Sequence, residues 1–147
     1  MTRLMFAALC LTAIATAPVV AADNATLSGG SKSIGVGDRA TFPVQTRSDR
    51  STEFSASCEL KSAGSASVLF DGRHYIPLSE PAVGDVISFN GAGTRRFELT
   101  GTFEANNGDA EISFFFANVP VAFCFGGGDC ASVEEASPSV SVTCRQN

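Results

Sequence analysis

Tryptophan is absent from this chain, histidine and tyrosine occur once each, and both methionines fall within the first five residues. Each scarcity removes a class of chemistry. With His74 the only imidazole, a Ser-His-Asp or Cys-His nucleophile would have to be built around it. His74 stands two residues after Asp71-Gly72, and no serine has a GxSxG setting, so the chain is read as non-enzymatic. There is no CxxC pair, and one histidine does not complete any familiar zinc set. Ten Lys and Arg against fifteen Asp and Glu leave a formal net charge of −5, which argues against a nucleic-acid surface. No P-loop is present, and Gly35-Val36-Gly37 lacks the rest of a dinucleotide fingerprint, so no cofactor is expected.

Long apolar runs are missing as well. Leu4 to Ala17 is a run of 14 residues, short of the roughly 20 that a spanning helix needs. Arg3 precedes it, Pro18 ends it, and Val20 and Ala22 occupy the positions that a signal peptidase reads. Residues 1–22 are therefore expected to be a cleaved signal peptide, with one domain over 23–147, no transmembrane anchor after cleavage, and a periplasmic or secreted destination. Cleavage removes both methionines, Cys10 and Phe6, so the mature core rests on eleven Phe, the aliphatics and Tyr75.

Four cysteines remain, an even number that reads as two disulfides in an oxidising compartment. Cys124 and Cys130 enclose Phe125-Gly126-Gly127-Gly128-Asp129, a loop flexible enough to close on itself, which leaves Cys58 with Cys144. Alternation agrees, since Phe54, Ala56, Cys58 and Leu60 share one face, as do Val140, Val142 and Cys144. That second bridge would join neighbouring strands or opposed sheets. On the chain-entropy model it contributes about 4–5 kcal/mol.

What the chain does contain is period-two alternation broken by Gly, Asp, Asn and Pro. It predicts eight or nine strands and no helix: an antiparallel β-sandwich, immunoglobulin-like or jelly-roll-like. The 23–37 stretch is expected to hold one short edge strand, Ala25 to Leu27, and Pro43 predicts an edge position for the strand around it. Thr52 to Leu60 and Asp85 to Asn90 read as strands, and Ser139 to Cys144 as the closing one. Asp71-Gly72 predicts a hairpin between Ser67–Phe70 and Arg73–Ile76. A second hairpin is predicted over Arg95 to Phe116 with Asn107-Gly108 at its turn, which sets Phe103 opposite Ile112 and Leu99 opposite Phe116. In its second arm Ala110, Ile112, Phe114 and Phe116 alternate with Glu111, Ser113 and Phe115.

Two constellations are candidate sites. The hairpin register places Glu104 opposite Glu111 with Asp109 at the same end, a like-charge cluster that a cation such as calcium would relieve. The plainer reading is that all three point into water, and no calcium-loop spacing is present. The Cys124–Cys130 loop is the expected recognition element, with Phe125 as an apolar anchor, Gly126, Gly127 and Gly128 exposing backbone amides, and Asp129 as a negative tip. The functional expectation is an exported binding or envelope-structural module whose partner is an unidentified protein or glycan. The alternatives are a small periplasmic enzyme inhibitor presenting that loop, and a hydrolase using a carboxylate pair. No motif is specific enough to name a family.

Overall fold

The computed structural model describes residues 24–118 and 138–147. Ten strands and no helix occur among them: β1 (Thr26–Leu27), β2 (Gly30–Ile34), β3 (Arg39–Gln45), β4 (Thr52–Ser62), β5 (Ala66–Arg73), β6 (Tyr75–Pro77), β7 (Val86–Phe89), β8 (Gly93–Phe103), β9 (Glu111–Asn118) and β10 (Val140–Gln146). They form two five-stranded sheets, ordered β1-β3-β9-β5-β7 and β2-β10-β4-β8-β6. We call these the odd and the even sheet. Every ladder between named strands is antiparallel.

No two consecutive strands are hydrogen-bonded neighbours; each connection carries the chain from one sheet to the other. The ladders nest instead: β2 with β10, β3 with β9, β4 with β8, and β5 with β7. A long antiparallel ribbon, rolled up, has this pairing. The second set of ladders, β4 with β10, β5 with β9 and β6 with β8, closes the roll.

Period-two alternation drives the core. In β4, Phe54, Ala56, Cys58 and Leu60 are buried as expected, and Val140, Val142 and Cys144 meet them from β10. Ring contacts then tie the layers together. Phe54 and Tyr75 both pack on Phe103, at 5.1 Å between centroids in each case. Tyr75 in the even sheet also meets Phe70 in the odd sheet edge-on at 6.2 Å, and Phe70 continues to Phe114 at 5.2 Å. Edge-to-face and tilted pairs of this kind add to the burial of the rings themselves. Cys58 and Cys144 are directly opposed in the β4–β10 ladder and form a disulfide with Cα atoms 4.2 Å apart. The bridge therefore joins neighbouring strands, behind the even sheet's outer face.

Both predicted hairpins are absent. Asp71 and Gly72 lie inside β5, opposite Ser113 and Ile112, and the ladder continues to Arg73 opposite Glu111. The chain turns one residue later, at His74, which adopts φ 63°. A ladder with β9 outweighs the local turn preference of Asp-Gly, and Gly72 is kept for another reason: a Cβ there would lie 2.8 Å from that of Tyr75. The 95–116 unit is likewise an arch between sheets, because β8 pairs with β4 and β6 while β9 pairs with β3 and β5. Phe103, Leu99, Ile112 and Phe116 are all buried, but they enter the core from opposite layers. The arch is held by the buried Asn106 amide, which donates to Thr46 Oγ1 at 2.6 Å and to the Glu104 carbonyl at 2.8 Å.

Two edge expectations also change. β2, with only Ile34 buried, pairs with β10; its Gly-Ser-Lys-Ser composition carried no alternation to betray it. β3 is not the outermost strand, but its neighbour β1 is two residues long. Ser28 N–H donates to the Pro43 carbonyl at 2.9 Å, and Pro43 has no N–H to return the bond, so the β1 ladder stops there.

Candidate functional site

The expected recognition loop, Phe125 to Asp129 with Cys124 and Cys130, lies outside the described residues. Its stems are described. β9 ends at Asn118 opposite Ser67, and β10 begins at Val140 between Ile34 and Ser62. The connection thus leaves and returns at the end of the molecule that carries the β2–β3, β4–β5 and β7–β8 turns.

The acidic constellation does not assemble as the hairpin register required. With β8 and β9 in different sheets, Glu104 is not opposite Glu111. Glu111 faces Pro43 on one side and Arg73 on the other, with the Arg73 guanidinium 3.7 Å from its carboxylate. Asp109 lies 3.1 Å from His74 Nε2, and the Glu104 amide donates to the His74 carbonyl. No group of three or more His, Cys, Asp or Glu able to hold a metal occurs among the described residues. The Glu104–Glu111 pairing expected from the hairpin is therefore not formed.

The outer face of the odd sheet, by contrast, brings together residues that sequence reasoning did not connect. Strand register sets three rows across β3, β9 and β5: Arg39, Phe115 and Leu69; Thr41, Ser113 and Asp71; Pro43, Glu111 and Arg73. Val86 of β7 extends the first row beside Leu69 and is 59% exposed. Arg39, Asp71, Arg73 and Glu111 enclose an open cleft of about 430 Å³. Arg39 Nη1 donates to Asp71 Oδ2 at 3.0 Å and to Ser113 Oγ at 2.9 Å, and the guanidinium carbon sits 5.4 Å from the centre of the Phe115 ring. Asp71 Oδ1 accepts the Gly72 amide at 2.8 Å. Phe115 was the available signal: an aromatic at an outward position of an otherwise polar outward set.

The outer face of the even sheet holds a second depression of about 280 Å³, lined by Ser57, Glu59, Arg96, Glu98, Thr143 and Arg145 among others. No aromatic lines it, and Ser57, Glu59, Arg96 and Glu98 are hydrogen-bonded within it or to Asn147 beside it. Arg96 Nε donates to Glu59 at 2.7 Å, which holds that carboxyl below its ordinary range. Asn147 and Ser57 both donate to Glu98 and lower its pKa likewise. Inside the core, burial pushes the Tyr75 hydroxyl up to about 12, and it donates to the Thr100 carbonyl at 2.9 Å. It is a structural group.

Comparison of the chain with models of protein families, with curated proteins and with solved structures finds no match among any of them.

Proposed function

We propose that this chain is an exported, non-enzymatic binding module, active in the periplasm or outside the cell. In this reading residues 1–22 are removed as a signal peptide. The mature domain 23–147 is a jelly-roll-like sandwich braced by Cys58–Cys144 and Cys124–Cys130, and its partner is a protein or a glycan. The nested ladders support the jelly-roll winding, and the Cys58–Cys144 bridge is compatible with an oxidising compartment. The observation that carries the binding assignment is the odd sheet's outer face, where a mixed-charge cleft adjoins an aromatic and aliphatic row on a rigid scaffold. Affinity capture from the envelope fraction, with the mature chain as bait, tests it. Recovery of a saturable partner that is lost on Phe115→Ser is expected; the same recovery from both forms, or from neither, defeats the assignment. N-terminal sequencing of exported material is expected to begin at Asp23.

A second reading is a small periplasmic enzyme inhibitor that presents the Cys124–Cys130 loop, three glycines enclosed between two cysteines. The Phe125→Ala, Asp129→Asn double variant separates the two. If capture recovers an enzyme and this variant abolishes it while Phe115→Ser does not, inhibition is the function.

A further inference from the structure

We infer that the cleft on the odd sheet's outer face binds a neutral oligosaccharide, with sugar hydroxyls on the charged quartet and the C–H face of a pyranose on the adjoining apolar row. The inference rests on the binding-module reading and names its ligand class.

Charge is the first argument. Two guanidinium groups and two carboxylates alternate around the cleft, so their formal charges cancel. Each cation already stands beside an anion, Arg39 with Asp71 at 3.0 Å and Arg73 with Glu111 at 3.7 Å. An ionic ligand would meet an opposite charge already beside each group, and a quartet of zero net charge in partly exposed pairs offers it little electrostatic attraction. A hydroxyl group has no such difficulty. It is donor and acceptor at once, so it accepts from a guanidinium and donates to a neighbouring carboxylate without changing the charge balance. The Arg73–Glu111 separation is longer than a hydrogen bond, so that pair has donors and lone pairs left to use.

Pre-organisation is the second. Arg39 is held by Asp71, by the buried Ser113 hydroxyl and by the Phe115 ring, so its fork is oriented before any ligand arrives. Two of those contacts use Nη1, and the remaining guanidinium N–H groups have no hydrogen-bond partner among the described residues. Little ordering entropy is left to lose on binding.

The apolar row is the third. Phe115, Leu69 and Val86 lie side by side on adjacent strands, immediately next to the charged quartet. A surface that is apolar along one row and hydroxyl-matching along the next fits a ligand that is itself amphiphilic and uncharged.

Backbone-amide NMR of the mature domain, titrated separately with maltohexaose, cellohexaose and chitohexaose to about 10 mM, tests the inference. Saturable shifts confined to Arg39, Leu69, Asp71, Arg73 and residues 111–115 are expected for at least one probe. Asp71→Asn and Phe115→Ser are each expected to weaken that binding about tenfold or more while leaving the amide spectrum dispersed. Glu59→Gln, on the opposite sheet, is expected to leave it unchanged. No saturable shift with any of the three sugars overturns the inference, as does equal weakening by Glu59→Gln, or tighter, salt-sensitive binding of dextran sulfate at the same residues. If the sugars fail while envelope capture still recovers a partner that Phe115→Ser abolishes, the ligand class falls and the binding module stands. If both fail, both fall.

Discussion

The two sheets obey one alternation and end with different outer faces. On the even sheet, outward positions of β10, β4 and β8 carry Ser, Thr and charged groups, with Arg96 paired to Glu59 and Ser57 to Glu98, and a disulfide lies directly behind them. On the odd sheet, the outward set includes Phe115, Leu69 and Val86 beside a charged cleft, and no disulfide joins its described strands. One layer is held by a covalent tie and presents a polar surface without an aromatic in its depression. The other has no such tie among its described strands and presents an aromatic and aliphatic row beside two ion pairs. The covalent tie and the outward apolar row thus fall on opposite layers.

The largest test of that division is the tie itself. Replacing Cys58 and Cys144 together by alanine is expected to cost about 4–5 kcal/mol, since the bridge closes a span with a sequence separation of 86. In the odd sheet, Phe114→Ala is expected to cost about 3–5 kcal/mol through the cavity left against Phe42 and Phe70. Denaturant unfolding measures both. An unchanged midpoint for the cysteine pair would show that the even sheet is held by packing alone and would erase the contrast.

A smaller effect sharpens the comparison at the β6 edge of the even sheet. Gly101 has no room for a side chain: a Cβ there would meet the Ile76 carbonyl at 2.4 Å and the Tyr75 ring at 2.6 Å. Gly101→Ala is expected to cost about 1–3 kcal/mol and to detach the three-residue β6 from β8. Hydrogen exchange reads this directly, as lost protection at the Leu78 amide, which donates to the Thr100 carbonyl. Retained protection there would mean that β6 is fixed by the core ring of Tyr75 instead of by its ladder.

The smallest effect is electrostatic and belongs to the even sheet. Arg96 lowers the pKa of Glu59, and Asn147 with Ser57 lowers that of Glu98. A carboxyl with a lower pKa in the folded chain contributes stability above its unfolded value of 4.5, and the contribution is lost as pH falls through the folded value. The Glu59→Gln, Glu98→Gln double variant is therefore expected to show a shallower fall in Tm than the parent between about pH 5 and about pH 3. Parallel acid limbs in calorimetry would remove these exposed groups from the stability balance, as solvent screening allows.

Much of the inside was legible in advance. Phe54, Ala56, Cys58 and Leu60, then Val140, Val142 and Cys144, could be assigned to buried faces by spacing alone, and those faces agreed with the Cys58–Cys144 pairing that elimination left. β2 was hidden because a strand with one buried residue has no pattern to read. The odd-sheet cleft was hidden for a different reason. Arg39, Asp71, Arg73 and Glu111 come from three strands, and two of them flank Gly72 in an Asp-Gly-Arg run that reads locally as a turn.

Alternation states which face a residue takes, and it did so correctly for β4, β8, β9 and β10, because a period of two is a property of the extended backbone itself. It does not state the neighbour. A tight hairpin and an arch between layers bury the same side chains of Leu99, Phe103, Ile112 and Phe116, so nothing local distinguishes them. The choice was made by long-range ladders, β9 with β5 and β8 with β4, whose hydrogen bonds and ring contacts outweigh the preference of any single turn.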